Sequence, residues 1–172
     1  MREILGEGKF LRLVREGKWE HAERTNAYGI VLLAAITDDD HLVLVEQYRS
    51  PVKSRVIELP AGLCGDDVAG EPLESAAGRE LIEETGYQAR EIRTLTTGPV
   101  SAGMTTEQIT LFLATGLTKV EAGGGVEGED IETHLVPLAD VPAFLDAKMK
   151  AGVQVDTKLW SALWFVERAR RP

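Results

Sequence analysis

Apolar and polar positions fall along this chain in blocks that read as strands first and helices last. Phe10 to Val14 and Trp19 to Glu23 predict two short strands, joined by the hairpin-like turn Arg15-Glu16-Gly17-Lys18. Tyr28 to Thr37 (YGIVLLAAIT) is a near-continuous apolar run, as expected of a strand buried on both faces. Asp38-Asp39-Asp40 reads as a solvated turn, and His41 to Gln47 alternates back as a hairpin partner. Val56 to Leu59 predicts a short strand, after which Pro60-Ala61-Gly62 turns the backbone. The stretch from Leu73 to Thr85 predicts a helix, and Ala89 to Val100 and Gln108 to Ala114 predict strands flanking the small-residue loop Ser101 to Glu107. Gly123-Gly124-Gly125 reads as a flexible hinge. It precedes the acidic stretch Glu127 to Glu132 and a strand from Thr133 to Pro137. Asp140 begins a helix with Pro142 in its first turn. A last helix runs from about Asp156 to Arg170, with Leu159, Leu163 and Val166 on one face and Trp160 and Trp164 expected in the core. This order predicts an α+β layered domain, one domain being the default for 172 residues.

The helix from Leu73 to Thr85 changes the picture. It places Glu80, Glu83 and Glu84 at i, i+3 and i+4, which is one helix face. Like charges so placed are destabilising. A positive partner is therefore expected there, and hard oxygen ligands beside a phosphorylated substrate fit Mg²⁺ best. A net charge of −9 argues against passive binding to nucleic acid or to an anionic membrane. The one cysteine, Cys64, permits no internal disulfide and reads as a small packing residue. No apolar run suggests a signal core or a membrane span, and the expected location is cytoplasmic. His21, His41 and His134 have no ligand spacing and receive no role. Trp19, set among charges in KWEHAER, either packs half-buried or stacks on a ligand. Arg49, leaving a strand in QYRSP, either meets phosphate or ribose or sits in a surface ion pair.

The pattern Gly65-x5-Glu71-x7-Arg79-Glu80-Leu81-x-Glu83-Glu84-x-Gly86-Tyr87 resembles the Nudix box in full, with Leu81 and Tyr87 at its apolar positions. The resemblance implies a Nudix-type α/β/α sandwich with a mixed sheet and an N-terminal antiparallel strand region. It also implies a metal-dependent pyrophosphohydrolase. Glu80 and Glu84 would be the core metal ligands, Glu83 would assist, and the Ala61 carbonyl would complete the shell around Mg²⁺ or Mn²⁺. Arg79 would orient a box glutamate, while Glu71 and Gly65 would shape the loop and the helix start.

Beyond the box, WEHAERTNAYGIVLLA, LVLVEQYRSPVKSRVIELPAGL, SAGMTTEQITLF, EGEDIETHLVPL and VDTKLWSAL resemble the ADP-ribose pyrophosphatases. Those enzymes release a nucleoside monophosphate and a sugar phosphate, and act as homodimers whose N-terminal strands reach the partner's site. By that resemblance Trp19 would stack on the nucleobase, Arg49 would contact phosphates or the terminal ribose, and Met104 would line the substrate site. Glu127 would be the general base and Glu129 an auxiliary ligand. Where the ADP-ribose group has Ser-Pro-Gly this chain has Ser101-Ala102-Gly103, which leaves GDP-mannose or another sugar nucleotide as the close alternative. A non-catalytic nucleotide-binding module is the reading from another class.

Overall fold

The computed structural model describes residues 1–65, 70–126 and 128–171. Three N-terminal strands, β1 (Arg2–Glu7), β2 (Leu11–Glu16) and β3 (Trp19–Arg24), form an antiparallel meander. The predicted hairpin is β2–β3; β1 is an addition, its alternation hidden by charges on both faces. Next come β4 (Gly29–Ala35), β5 (His41–Arg49), β6 (Ser54–Glu58), β7 (Ala61–Cys64) and helix α1 (Leu73–Thr85). The chain continues through β8 (Tyr87–Gln88), β9 (Glu91–Pro99), β10 (Gln108–Thr115), β11 (Thr118–Lys119) and β12 (Ile131–Pro137). It ends with α2 (Val141–Lys150), β13 (Gln154–Val155) and α3 (Thr157–Arg170).

Two four-stranded mixed sheets carry the body, in the orders β7-β4-β10-β9 and β12-β5-β6-β13. Strand β4 lies parallel to β10 and antiparallel to β7, with Leu32 opposite Ala61. Its continuous apolar run serves two cores, because neighbouring side chains on a strand point to opposite faces. Val31, Leu33 and Ala35 pack with Ala76, Ala77 and Leu81 of α1. Leu32 and Ala34 pack with Leu42, Leu44, Ile57 and the helix residues Leu145 and Leu159. Full burial of a side chain such as Leu81 contributes about 2–3 kcal/mol, and this side chain has no exposed area at all. Helix α1 is therefore pinned to the sheet by one face, which leaves the glutamate face to the site.

Two expectations are corrected. Trp160 and Trp164 are 41% and 52% exposed: the buried stripe of α3 is Leu159, Ala162 and Val166, and the tryptophans flank it on the outer side. Trp164 meets Phe165 edge-on at 4.9 Å and lies under Arg168. The segment after Pro60, expected as a turn, is strand β7, because its backbone finds a partner along β4. No described helix is long and apolar enough to cross a membrane.

Candidate active site

The site is built where β7 passes under the glutamate face of α1. Glu84 is only 6% exposed, and the Ala61 N–H donates to its Oε2 at 3.0 Å. Burial pushes the Glu84 carboxyl up to about 8. Glu80 and Glu129 push it in the same direction, while the Ala61 N–H and Arg49 oppose them. Ala61, Arg49 and Glu129 are distant from Glu84 in sequence, yet all act on it. That convergence places the acidic loop and the QYR strand end at the box helix.

Gly62 explains why β7 can run so close to the helix. A Cβ at Gly62 would lie 1.9 Å from the Glu80 carboxyl carbon, so the glutamate occupies the volume that any other residue would fill.

Arg79 holds the acidic face together. Its Nη1 donates to Glu80 Oε1 and to Glu83 Oε2, each at 3.0 Å. Its Nη2 reaches Glu71 Oε2 at 3.3 Å and the Leu63 carbonyl at 3.2 Å. Burial disfavours the guanidinium charge, but Glu71, Glu80 and Glu83 outweigh it and raise its affinity for the proton. Arg79 thus bridges three box carboxylates. The Glu71 carbonyl is tied in turn to the Tyr28 hydroxyl and lies 3.0 Å from Cys64 Sγ, and Cys64 is fully buried.

The donor set of Glu80, Glu83, Glu84 and the Ala61 carbonyl is all hard oxygen. Burial first, and then Glu80, disfavours the charged form of Glu84 within that set. A small divalent cation fits such a set, in competition with Arg79 for Glu80 and Glu83. Among the described residues, the three potential ligands whose atoms lie within 4.8 Å of one another are Glu46, Glu132 and His134, none of them on α1. Glu46 already accepts from Lys148 at 2.6 Å and Arg55 at 2.7 Å, so its charge is taken up. The sequence does not show this cluster, because its members sit on β5 and β12 and the partners Arg55 and Lys148 on β6 and α2.

Around the site, Arg49 Nε donates to Glu58 Oε2 at 2.8 Å, the ion-pair alternative foreseen for it, while still acting on Glu84. Trp19 is 58% exposed and lines a shallow cleft with Ala102, Gly103 and Thr105; Met104 beside it is 71% exposed. The Ala22 N–H bonds the Met104 carbonyl at 2.8 Å, so the N-terminal sheet is hung on the loop that carries these residues. Glu129 Oε2 accepts from the Val126 N–H at 2.9 Å. Glu127 lies outside the described residues.

The NUDIX domain family model matches residues 27–155. The chain belongs to the Nudix family. It is 39% identical over 110 residues to a methanol dehydrogenase activator of Bacillus methanolicus, covering 64% of this chain and 57% of that protein. It is 33% identical over 133 residues to an ADP-ribose pyrophosphatase of Bacillus subtilis, covering 77% and 70%. A GDP-mannose pyrophosphatase of Citrobacter koseri is 36% identical over 125 residues, covering 68% and 63%. The chain therefore spans less than two thirds of the length of the first and third of these relatives. The crystal structure of an ADP compounds hydrolase shares the fold with a TM-score of 0.75 at 20% identity, covering 98% of this chain and 90% of that one.

Proposed function

We propose that this protein hydrolyses the pyrophosphate bond of ADP-ribose or a related nucleoside diphosphate sugar, releasing a nucleoside monophosphate and a sugar phosphate. The observation that carries the reading is the buried Glu84, crowded by Glu80 and Glu129 and facing the Ala61 backbone. Such an arrangement favours a dication held by Glu80, Glu84, Glu83 and the Ala61 carbonyl, with Mg²⁺ or Mn²⁺ as the candidates. When bound, the ion would neutralise phosphate charge and lower the pKa of a coordinated water. Arg79 keeps Glu80 and Glu83 in place. Arg49 turns from Glu58 toward the diphosphate or the terminal ribose. Glu129, and Glu127 as general base, would supply the remaining carboxylates from the loop before β12.

The substrate class rests on the relatives named as ADP-ribose and GDP-mannose pyrophosphatases. Ala102, in place of the proline typical of the ADP-ribose group, favours keeping GDP-mannose as the second reading. A homodimer is part of the proposal. The β1–β3 sheet leaves Ile4, Leu11 and Leu13 each more than 40% exposed, and so small a sheet needs further packing for stability.

The test is a panel of nucleoside diphosphate sugars incubated with Mg²⁺ in H₂¹⁸O, scored for released nucleoside monophosphate and for the phosphate that gains the label. Lack of turnover on every member removes the hydrolase reading. Ligand binding indifferent to EDTA would then point to a non-catalytic module.

Two further outcomes are expected. Trp19→Ala should raise KM about tenfold with little change in kcat, since base–aromatic stacking contributes about 1–3 kcal/mol. Loss of solubility with an unchanged KM would show that the ring only packs. Gly62→Ala should displace the Glu80 carboxylate and raise the Mg²⁺ concentration for half-maximal activity by about tenfold or more. An unchanged Mg²⁺ profile would remove Glu80 from the ligand set.

A further inference from the structure

The C-terminal end of α1 is closed by a strap from elsewhere in the chain. A helix leaves its last four carbonyls without helical partners. Here all four are accounted for. The Ile82 carbonyl accepts from the Gly86 N–H at 2.7 Å, Glu83 from the Gly125 N–H at 2.9 Å, and Glu84 from the Gly124 N–H at 2.9 Å. The Thr85 carbonyl accepts from Lys119 Nζ at 2.7 Å. The same ammonium donates to the Ala122 carbonyl at 3.0 Å and stands 4.8 Å over the Tyr87 ring, which β11 pairs with Lys119.

The strap and the helix end also interlock sterically. A Cβ on Gly86 would lie 2.1 Å from the Glu121 carbonyl oxygen, and one on Gly123 would lie 2.4 Å from the Thr85 carbonyl carbon. Gly123-Gly124-Gly125 is thus a fitted cap, in which φ values of 74°, 107° and 86° let backbone N–H groups approach the helix. This corrects the hinge expected from the sequence.

The residues whose carbonyls the strap grips are Glu83 and Glu84, members of the proposed ligand set. The strap is fitted against Glu129, whose Oε2 lies 2.4 Å from where a Cβ on Gly125 would stand, and Glu129 also acts on Glu84. No basic side chain occupies the last turn of α1. Lys119 therefore supplies the positive charge that the negative end of a helix favours, at the turn where the acidic side chains crowd.

We infer that Lys119 is a positioning residue: through the Gly123–Gly125 strap it sets the Glu129 loop against the Glu83–Glu84 turn and so fixes the ligand set for a divalent cation. The inference rests on the proposed metal-binding role of α1. It goes beyond that reading by naming a residue outside the box and by making the glycine strap a fixed part of the site.

The test uses the full chain and Lys119→Met, with Lys119→Arg as the conservative control. Mn²⁺ binding is read by electron paramagnetic resonance without substrate, beside kcat and KM at saturating Mg²⁺. Lys119→Met should weaken Mn²⁺ binding about tenfold and lower kcat by a similar factor, with KM within about twofold of wild type. Lys119→Arg should recover most of both. Should Lys119→Met fold too poorly to assay, Lys119→Gln, which keeps N–H donors but no charge, should show the same loss of Mn²⁺ affinity in smaller measure.

A Lys119→Met protein with a lower Tm but wild-type Mn²⁺ affinity and kcat in its folded fraction would overturn the inference, leaving Lys119 a helix cap alone. A wild type that turns over no sugar nucleotide, while Lys119→Met still weakens Mn²⁺ binding, would remove the proposed substrate class and leave the positioning role standing.

Discussion

Glu84→Gln is expected to reduce kcat about a thousandfold, or about 4 kcal/mol of barrier, while the protein stays folded. The side chain is buried against β7, and its Oε2 accepts from the Ala61 N–H. Glutamine keeps the volume and retains an oxygen for that hydrogen bond, so nothing in the packing is lost. What is lost is the ability to become an anion under a dication. In the metal-free protein the carboxyl, raised to about 8, is largely uncharged at neutral pH, so the amide mimics the state the fold already holds. The linkage sign follows. A carboxyl raised from 4.5 to about 8 penalises the folded state progressively as pH rises between those values. With EDTA present, wild type should lose stability from pH 5 to pH 8 relative to Glu84→Gln, and Mg²⁺ should restore wild type alone. Thermal melts at the two pH values, with and without Mg²⁺, check this beside kcat. Near-wild-type activity in Glu84→Gln would remove it from the ligand set.

Local pattern carried much of this far. The box helix was legible from Leu73 to Thr85 because charge spacing, apolar spacing and the closing Gly86 agree in one segment. Strand β4 was legible because an unbroken apolar run has few other uses. What stayed hidden depended on partners remote in sequence. β7 reads as a turn until β4 is beside it, and its Gly62 has meaning only once Glu80 fills the space. The glycine triplet reads as flexible until the end of α1 is set against it. Trp160 and Trp164 look like core by composition, yet a helix stripe of three small or aliphatic residues already covers the sheet.

The charged cluster under Glu46 was the least legible, and it yields the second large effect. Glu46 on β5 is 4% exposed. It meets Arg55 of β6 at 2.7 Å, His134 of β12 at 3.1 Å and Lys148 of α2 at 2.6 Å. Arg55 also returns to the Glu46 carbonyl at 3.0 Å, so one carboxylate ties two strands and a helix to β5. Glu46→Ala leaves those partners without their counter-charge and should cost about 3 kcal/mol, lowering Tm by about 6–12 °C for a chain of this size. Burial alone would raise the Glu46 pKa, but the hydrogen bonds from Lys148, Arg55 and His134 outweigh it and bring it down to about 2. A carboxyl lowered from 4.5 contributes stability above that value and loses it as pH falls through about 2. The ceiling of that contribution is about 3 kcal/mol, and the side chains of Arg55 and Lys148, 33% and 25% exposed, reduce it through solvent screening. Urea denaturation of wild type and Glu46→Gln should therefore show a stability gap that is constant from pH 5 to 7 and narrows steadily below pH 4.5. A gap of the same size at pH 2.5 would mean that hydrogen-bond geometry, not charge, holds the cluster, and that the charges of Arg55 and Lys148 are incidental to it.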